Sequence, residues 1–217
     1  MAMPLATLSS NNLTQTAAAV LLSKLPPREI TIMTTYPAIT LTELKTYLQI
    51  PLDNTQKDPL LNMLIESCTQ AAETFLGRFV IARDILEEPH DCDDTKSKYL
   101  QLEHYPVLEI TEITQNGVEI PLNAIKADKH NGILKKDTIW RGAALVSYRA
   151  GLSPDIENVP KNIRLALWQW IADILNQQEA GGIKSETLGD YSVSFYDERQ
   201  LPPGVAMLLE PYRKVSL

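Results

Sequence analysis

"FVIARDILEEPHDCDDTKSKYLQL", residues 79–102, decides how much of this chain is sheet. Its first eight residues, "FVIARDIL", are β-rich and predict a strand over 79–86. "KYLQL" (98–102) predicts a second strand that pairs with it. Between them, "EEPHDCDDTK" (87–96) holds five acids, a proline, His90 and Cys92. Such residues are poor strand formers, so the segment reads as a solvated acidic turn. A zinc site would need a further His or Cys pair at matching spacing. A calcium loop would need alternating acids, a turn glycine and a closing glutamate. Neither pattern is present. The alternative of a metal-dependent enzyme or regulator built on residues 87–94 therefore has no recognisable ligand set.

Working outward, the other strands are short. "VLEITEIT" (107–114), Asn116-Gly117 and "VEIPL" predict a tight hairpin, because Asn-Gly suits turns whose twist matches the strands. Asn131-Gly132 predicts a second turn between "AIKAD" and "ILKKD", and "ALVSYRAG" supplies one more strand.

The helices read more strongly. Thr40 or Thr42 can cap a short helix carrying Leu41, Leu44, Tyr47 and Leu48, ended by Pro51. Asp58-Pro59 opens a long one. Its residues Leu61, Leu64, Ile65, Cys68, Ala71, Ala72, Phe75 and Leu76 keep a helical period up to Gly77. Pro160 opens another, with Ile163, Leu167, Trp170, Ile171, Ile174 and Leu175 as its buried stripe and Trp168 at the edge. "VAMLL" near the end predicts a short terminal helix. The expectation is an α+β chain, predominantly helical. It takes the form of a helical bundle with a small antiparallel β-hairpin region and extended N- and C-terminal arms. Residues 1–32 form a leader or arm, 33–183 the core, and 184–217 a C-terminal docking arm with the terminal helix. "MTTYPAITLTELKTYL", from Met33, reads as the opening of the folded domain.

Composition limits function. A net charge of -7 and a pI near 5.0 argue against wrapping DNA, which takes concentrated Lys and Arg. Cys68 and Cys92 form no disulfide framework, and no apolar run approaches the length of a bilayer span. "AAAVLLSKL" (17–25) lacks the basic start and the cleavage site of a signal peptide. His104 and His130 lie in no nucleophile motif, and no phosphate-cradling glycine loop occurs. The reading is no enzyme, with no catalytic residue, no cofactor and no metal. Lys135-Lys136 and Arg213-Lys214 read as solvated pairs, and Trp168 and Trp170 as core or subunit-interface residues.

In chain order, "ITLTELKTYLQI", "DPLLNMLIESCTQAAETFLGRFV", "YPVLEITEIT", "VSYRAGL…VPKNIRLALWQWIADIL", "SETLGDYSVSF" and "LLEPYRKV" resemble the head–tail connector (adaptor, head-completion) family of tailed bacteriophages and gene-transfer particles. The likeness runs over roughly residues 39–215; the leader and the acidic loop depart from it. It implies a virion neck protein, made in the host cytoplasm, that forms a ring of commonly twelve copies beneath the portal protein. Such a ring extends the DNA channel and meets a tail-proximal connector or stopper protein. Duplex DNA passes through without specific binding, and no membrane is involved. A ring subunit needs apolar surface for heterologous contacts; Leu64, Cys68, Phe75, Leu167, Trp168, Trp170 and Ile171 are the core or ring-interface candidates. The alternation in "KSETLGDYSVSFYDE" (184–198) suits strand addition to another chain. Leu188, Tyr191, Val193, Phe195 and Tyr196 would then dock on the portal or a neighbouring subunit. The alternatives are a strand folded back on the chain's own β region, or a monomeric adaptor with one partner.

Overall fold

Thr40 and Glu43 form a reciprocal capping box. Glu43 N donates to Thr40 Oγ1 at 3.2 Å, and Thr40 N donates to Glu43 Oε2 at 3.0 Å. In the computed structural model this starts α1, Leu41–Tyr47. The structure describes residues 36–93, 96–179 and 201–214, and the backbone of 185–188 and 191–194. Helix α2 spans Asp58–Leu76 and ends at Gly77, whose φ of 63° is left-handed. Asp58 lies inside its first turn, and its carboxylate meets Lys45 Nζ at 2.5 Å. Helix α3 is Lys161–Glu179 and α4 is Pro203–Leu209. Their apolar stripes meet in one core: Leu44, Leu61, Cys68 and Leu76 face Ile163, Leu167, Ile171, Val205 and Leu209. Each fully buried leucine or isoleucine there contributes roughly 1.5–3 kcal/mol.

The strands are β1 (Arg83–Asp91), β2 (Tyr99–Gln101), β3 (Val107–Gln115), β4 (Val118–Glu119), β5 (Ile125–Asp128), β6 (Ile133–Lys136), β7 (Ala143–Ala150), β8 (Ser185–Leu188) and β9 (Tyr191–Ser194). They form a four-stranded sheet in the order β1-β7-β3-β4, a three-stranded sheet β2-β6-β5 and a separate pair β8-β9, and every named pairing is antiparallel. The two larger sheets close over a second core around Trp140, Tyr148, Ile113, Leu134 and Leu102. The β3–β4 hairpin turns at Asn116 and Gly117, with φ of 53° and 77°, as its sequence predicts. The β5–β6 turn is longer: only Gly132 has positive φ, and Asp128 Oδ1 accepts from Asn131 N at 3.2 Å.

The helical-bundle expectation is therefore wrong. Helix accounts for 37% and strand for 26%, and two real sheets stand beside the helices. The error lies in residues 87–91, read as an acidic turn. They continue β1, which pairs with β7, while β2 pairs with β6 and not with β1. Edge position makes this possible. As an edge among the described strands, β1 tolerates Pro89, and its Asp84, Glu87 and Asp91 face water. A bulge between Ile85 and Glu88, with Glu87 at φ 52°, inserts an extra residue and shifts the pleat. It sends Glu88 inward and leaves Leu86 78% exposed. An alternation count along the sequence cannot anticipate that reversal.

Gly151 lies where β7 leaves the sheet and crosses the chain entering β1. A Cβ there would sit 2.4 Å from Ala82 Cα and 2.6 Å from Ala82 N, backbone atoms that cannot swing aside. Gly151→Ala is expected to destabilise the fold by about 1–3 kcal/mol in urea unfolding. An unchanged midpoint would show that this crossing is not tight.

Candidate interaction surfaces and the buried polar junction

The bulge makes Glu88 a buried acid, 8% exposed. Its Oε1 accepts from Glu103 N at 2.9 Å, and its Oε2 accepts from the Tyr148 hydroxyl. His90 Nε2 lies 2.9 Å from Oε1. Tyr148 Oη in turn accepts from His104 N at 3.1 Å. Burial alone would raise the Glu88 pKa; His90, Tyr148 and Glu103 N outweigh it and hold the carboxyl below its usual value. Burial and the facing carboxylate push the Tyr148 phenol up. The His104 ring stacks on Phe79 at 4.5 Å, and burial moves its pKa down. Glu88 of the "acidic loop" thus cross-links β1, β7 and the segment after β2.

The same segment joins the two cores. Glu73 of α2 accepts from Val80 N at 2.9 Å and pairs with Arg83 at 2.6 Å. Tyr105 lies between two cations, Arg78 at 4.8 Å and Lys214 at 5.0 Å from its ring. Lys214 also donates from its backbone N to Leu76 O at 2.7 Å and from Nζ to Glu103 O at 2.8 Å.

Among the described residues no group of three or more His, Cys, Asp or Glu could hold a metal. Cys92 is 1% exposed, and burial pushes the Cys68 thiol up to about 12, far from a nucleophile's range. A cleft of about 420 Å³ lies between Tyr36, Ile81, Arg83, Asp84, Arg149 and Pro154, and no histidine, serine or cysteine lines it. Among the described residues that line it, nothing assembles a nucleophile, a base and an oxyanion pocket.

Of the residues singled out from sequence, Leu64, Cys68, Leu167 and Ile171 are buried in the protomer's own helical core. Phe75, Trp168 and Trp170 lie half-buried at its margin, and Trp168 stacks on the exposed Tyr47 at 5.6 Å. Leu188, Tyr191 and Val193 fall in β8 and β9, which pair with each other from Ser185↔Ser194 to Leu188↔Tyr191. Their side chains, and Phe195 and Tyr196, lie outside the described residues. Val205 and Leu209 of the terminal helix are core residues, so the β8–β9 hairpin is an excursion between two helices that pack together, α3 and α4. Sequence reading missed Glu88, hidden by the bulge. It also missed an exposed row on the small sheet, Tyr99, Lys135 and Lys126, brought side by side only by the register of β2, β6 and β5.

Because the folded-state pKa of Glu88 lies below its unfolded value, its contribution is complete above about pH 4.5 and is lost as pH falls further. Glu88→Gln is expected to cost about 1–3 kcal/mol at pH 7. The gap to the wild type should narrow below that pH in unfolding curves; a gap constant from pH 7 to pH 3 would contradict an ionised, paired Glu88.

A family model described as "Head completion protein" matches residues 38–215. No curated protein matches the chain. Among solved structures, a chain from the neck of an empty gene transfer agent (GTA) particle, computed with C6 symmetry, is similar at 19% identity and a TM-score of 0.54; 85% of this chain and 92% of that one are covered. A chain from the neck of the native particle, computed with C12 symmetry, gives 16% identity and 0.54, covering 83% and 91%. One from the virion of the native particle gives 15% and 0.56, covering 85% and 95%. These likenesses establish a shared fold. The family match spans both cores and the excursion between α3 and α4, and the chain belongs to the head completion protein family.

Proposed function

We propose that this chain is a structural head–tail connector (adaptor) subunit of a phage-like particle, several copies of which form a ring beneath the portal and continue the DNA channel toward the tail. The match to the head completion family over residues 38–215 carries the reading. The similar chains come from particle necks treated under sixfold and twelvefold symmetry, which supports a ring, and twelve copies is the number we propose. The family and the neck structures both point to a structural, non-enzymatic protein, located in the virion neck. An acidic chain, at -7, suits a passage through which a polyanion must slide without adhering. A tail-proximal connector or stopper protein would meet the opposite face.

Docking on the portal or the adjacent subunit falls to residues 185–197, within the excursion between α3 and α4, with Leu188, Tyr191, Val193, Phe195 and Tyr196 as contact residues. An isolated two-stranded hairpin is marginal in water, so this one has reason to lean on another chain. Removing 184–217 outright would also strip Val205 and Leu209 from the helical core and test folding instead. The informative variant replaces 185–194 with a short Gly-Ser link and keeps α4. It is expected to retain the wild-type circular dichroism spectrum and to lose at least tenfold in the number of copies retained on purified portal, counted by native mass spectrometry. Undiminished retention would end the docking role.

A further inference from the structure

The hairpin and the small sheet have complementary needs. Strands β8 and β9 have four residues each and, among the described strands, pair only with one another. Residues 185–198 contain four acids, Glu186, Asp190, Asp197 and Glu198, and no Lys or Arg. Strand β5, also four residues long, ends the three-stranded sheet, and among the described strands none pairs with its far side. It lacks the bulge and the proline that guard the β1 edge. Its Lys126 stands directly opposite Lys135 of β6, both exposed, and like charges in that register are destabilising. Neither forms an ion pair with a described residue. Lys135 Nζ instead lies 5.3 Å from the Tyr99 ring centre. The acid of the next row, Asp128, is already engaged by Asn131 N and Nδ2 at 3.2 and 2.9 Å. In a chain of net charge -7, an unpaired Lys-Lys-Tyr row beside an open edge is a seat for an acidic strand.

Resting on the ring reading, we infer that the β8–β9 hairpin of one copy adds to the β5 edge of the next, its acids over Lys126 and Lys135. Main-chain bonds along the edge would supply affinity and the charges register. The contact is heterologous: each copy gives a hairpin on one side and offers an edge on the other, which is the geometry that closes a ring.

Charge exchange tests this with the full chain. K126E/K135E places acid against acid and E186K/D190K base against base. Each variant is expected to keep its circular dichroism spectrum and to lose at least tenfold in the copies loaded on portal, measured by native mass spectrometry. The chain carrying all four changes is expected to regain most of that loading. Wild-type loading by K126E/K135E, or no recovery in the fourfold variant, would overturn the pairing. A loss confined to the hairpin variant would overturn it too, giving the hairpin to the portal instead. If wild-type protein itself never loads in multiple copies, the ring reading falls, and this inference with it.

Discussion

The chain holds two hydrophobic cores, and one buried carboxylate sits at the seam between them. Glu73, near the end of α2, accepts from Val80 N and pairs with Arg83 at the first residue of β1. Helix exit and sheet entry are thereby fixed within one turn of chain. Burial pushes the Glu73 carboxyl above its usual value in spite of these partners, so the pair is held against a desolvation cost. Such an arrangement contributes little net stability, but it penalises any other angle between the layers, because a displaced partner leaves a charge buried alone. Arg83 lies against the Phe79 ring and Tyr105 near both Arg78 and Lys214, so cation–aromatic contacts add to the aliphatic packing of Leu76, Val80 and Ile81 at the seam.

That seam explains why the terminal segment belongs to the fold. After its excursion the chain returns as α4, buries Val205 and Leu209, and uses Lys214 to bind both Leu76 O of the helical layer and Glu103 O of the β layer. The last described residue is a strap across the joint. Anything displayed between α3 and α4 is therefore held at both ends by a rigid body, and ordering it against a partner costs less than ordering a free tail.

The helical half was legible in the sequence and the β half only partly so. Helical period over Leu61, Leu64, Ile65, Cys68 and Leu76 survives in the structure because those residues face one flat core. The strands at 107–115 and 143–150 were legible for the same reason, since they lie inside a sheet with one covered face. β1 was not. Its composition is that of a turn, and only its place at a sheet edge, with a bulge that reverses the pleat, makes a strand of it. Propensity assumes that acids seek water and that proline breaks ladders, and an edge satisfies both conditions while keeping the strand. The Lys126–Lys135 pairing was hidden for a different reason, being a property of register between β5 and β6.

In the proposed ring, register would also make a folded subunit a directional one. A protomer that is to meet identical neighbours around an axis must present two unlike surfaces that fit each other, and must avoid fitting itself face to face. Sheet edges are the natural place for the error, because any exposed ladder pairs with any other. Here the long edge is blunted by Glu87, Pro89 and a bulge, and the edge at β4 is only two residues long. Of the two edges of the small sheet, β2 is three residues long, and β5 carries a lysine opposite a lysine, a pairing that would repel a second copy of itself and, in the proposed assembly, would favour an acidic strand. In the proposed ring, charge would thus select which strand fills the open edge and from which side, giving assembly a direction.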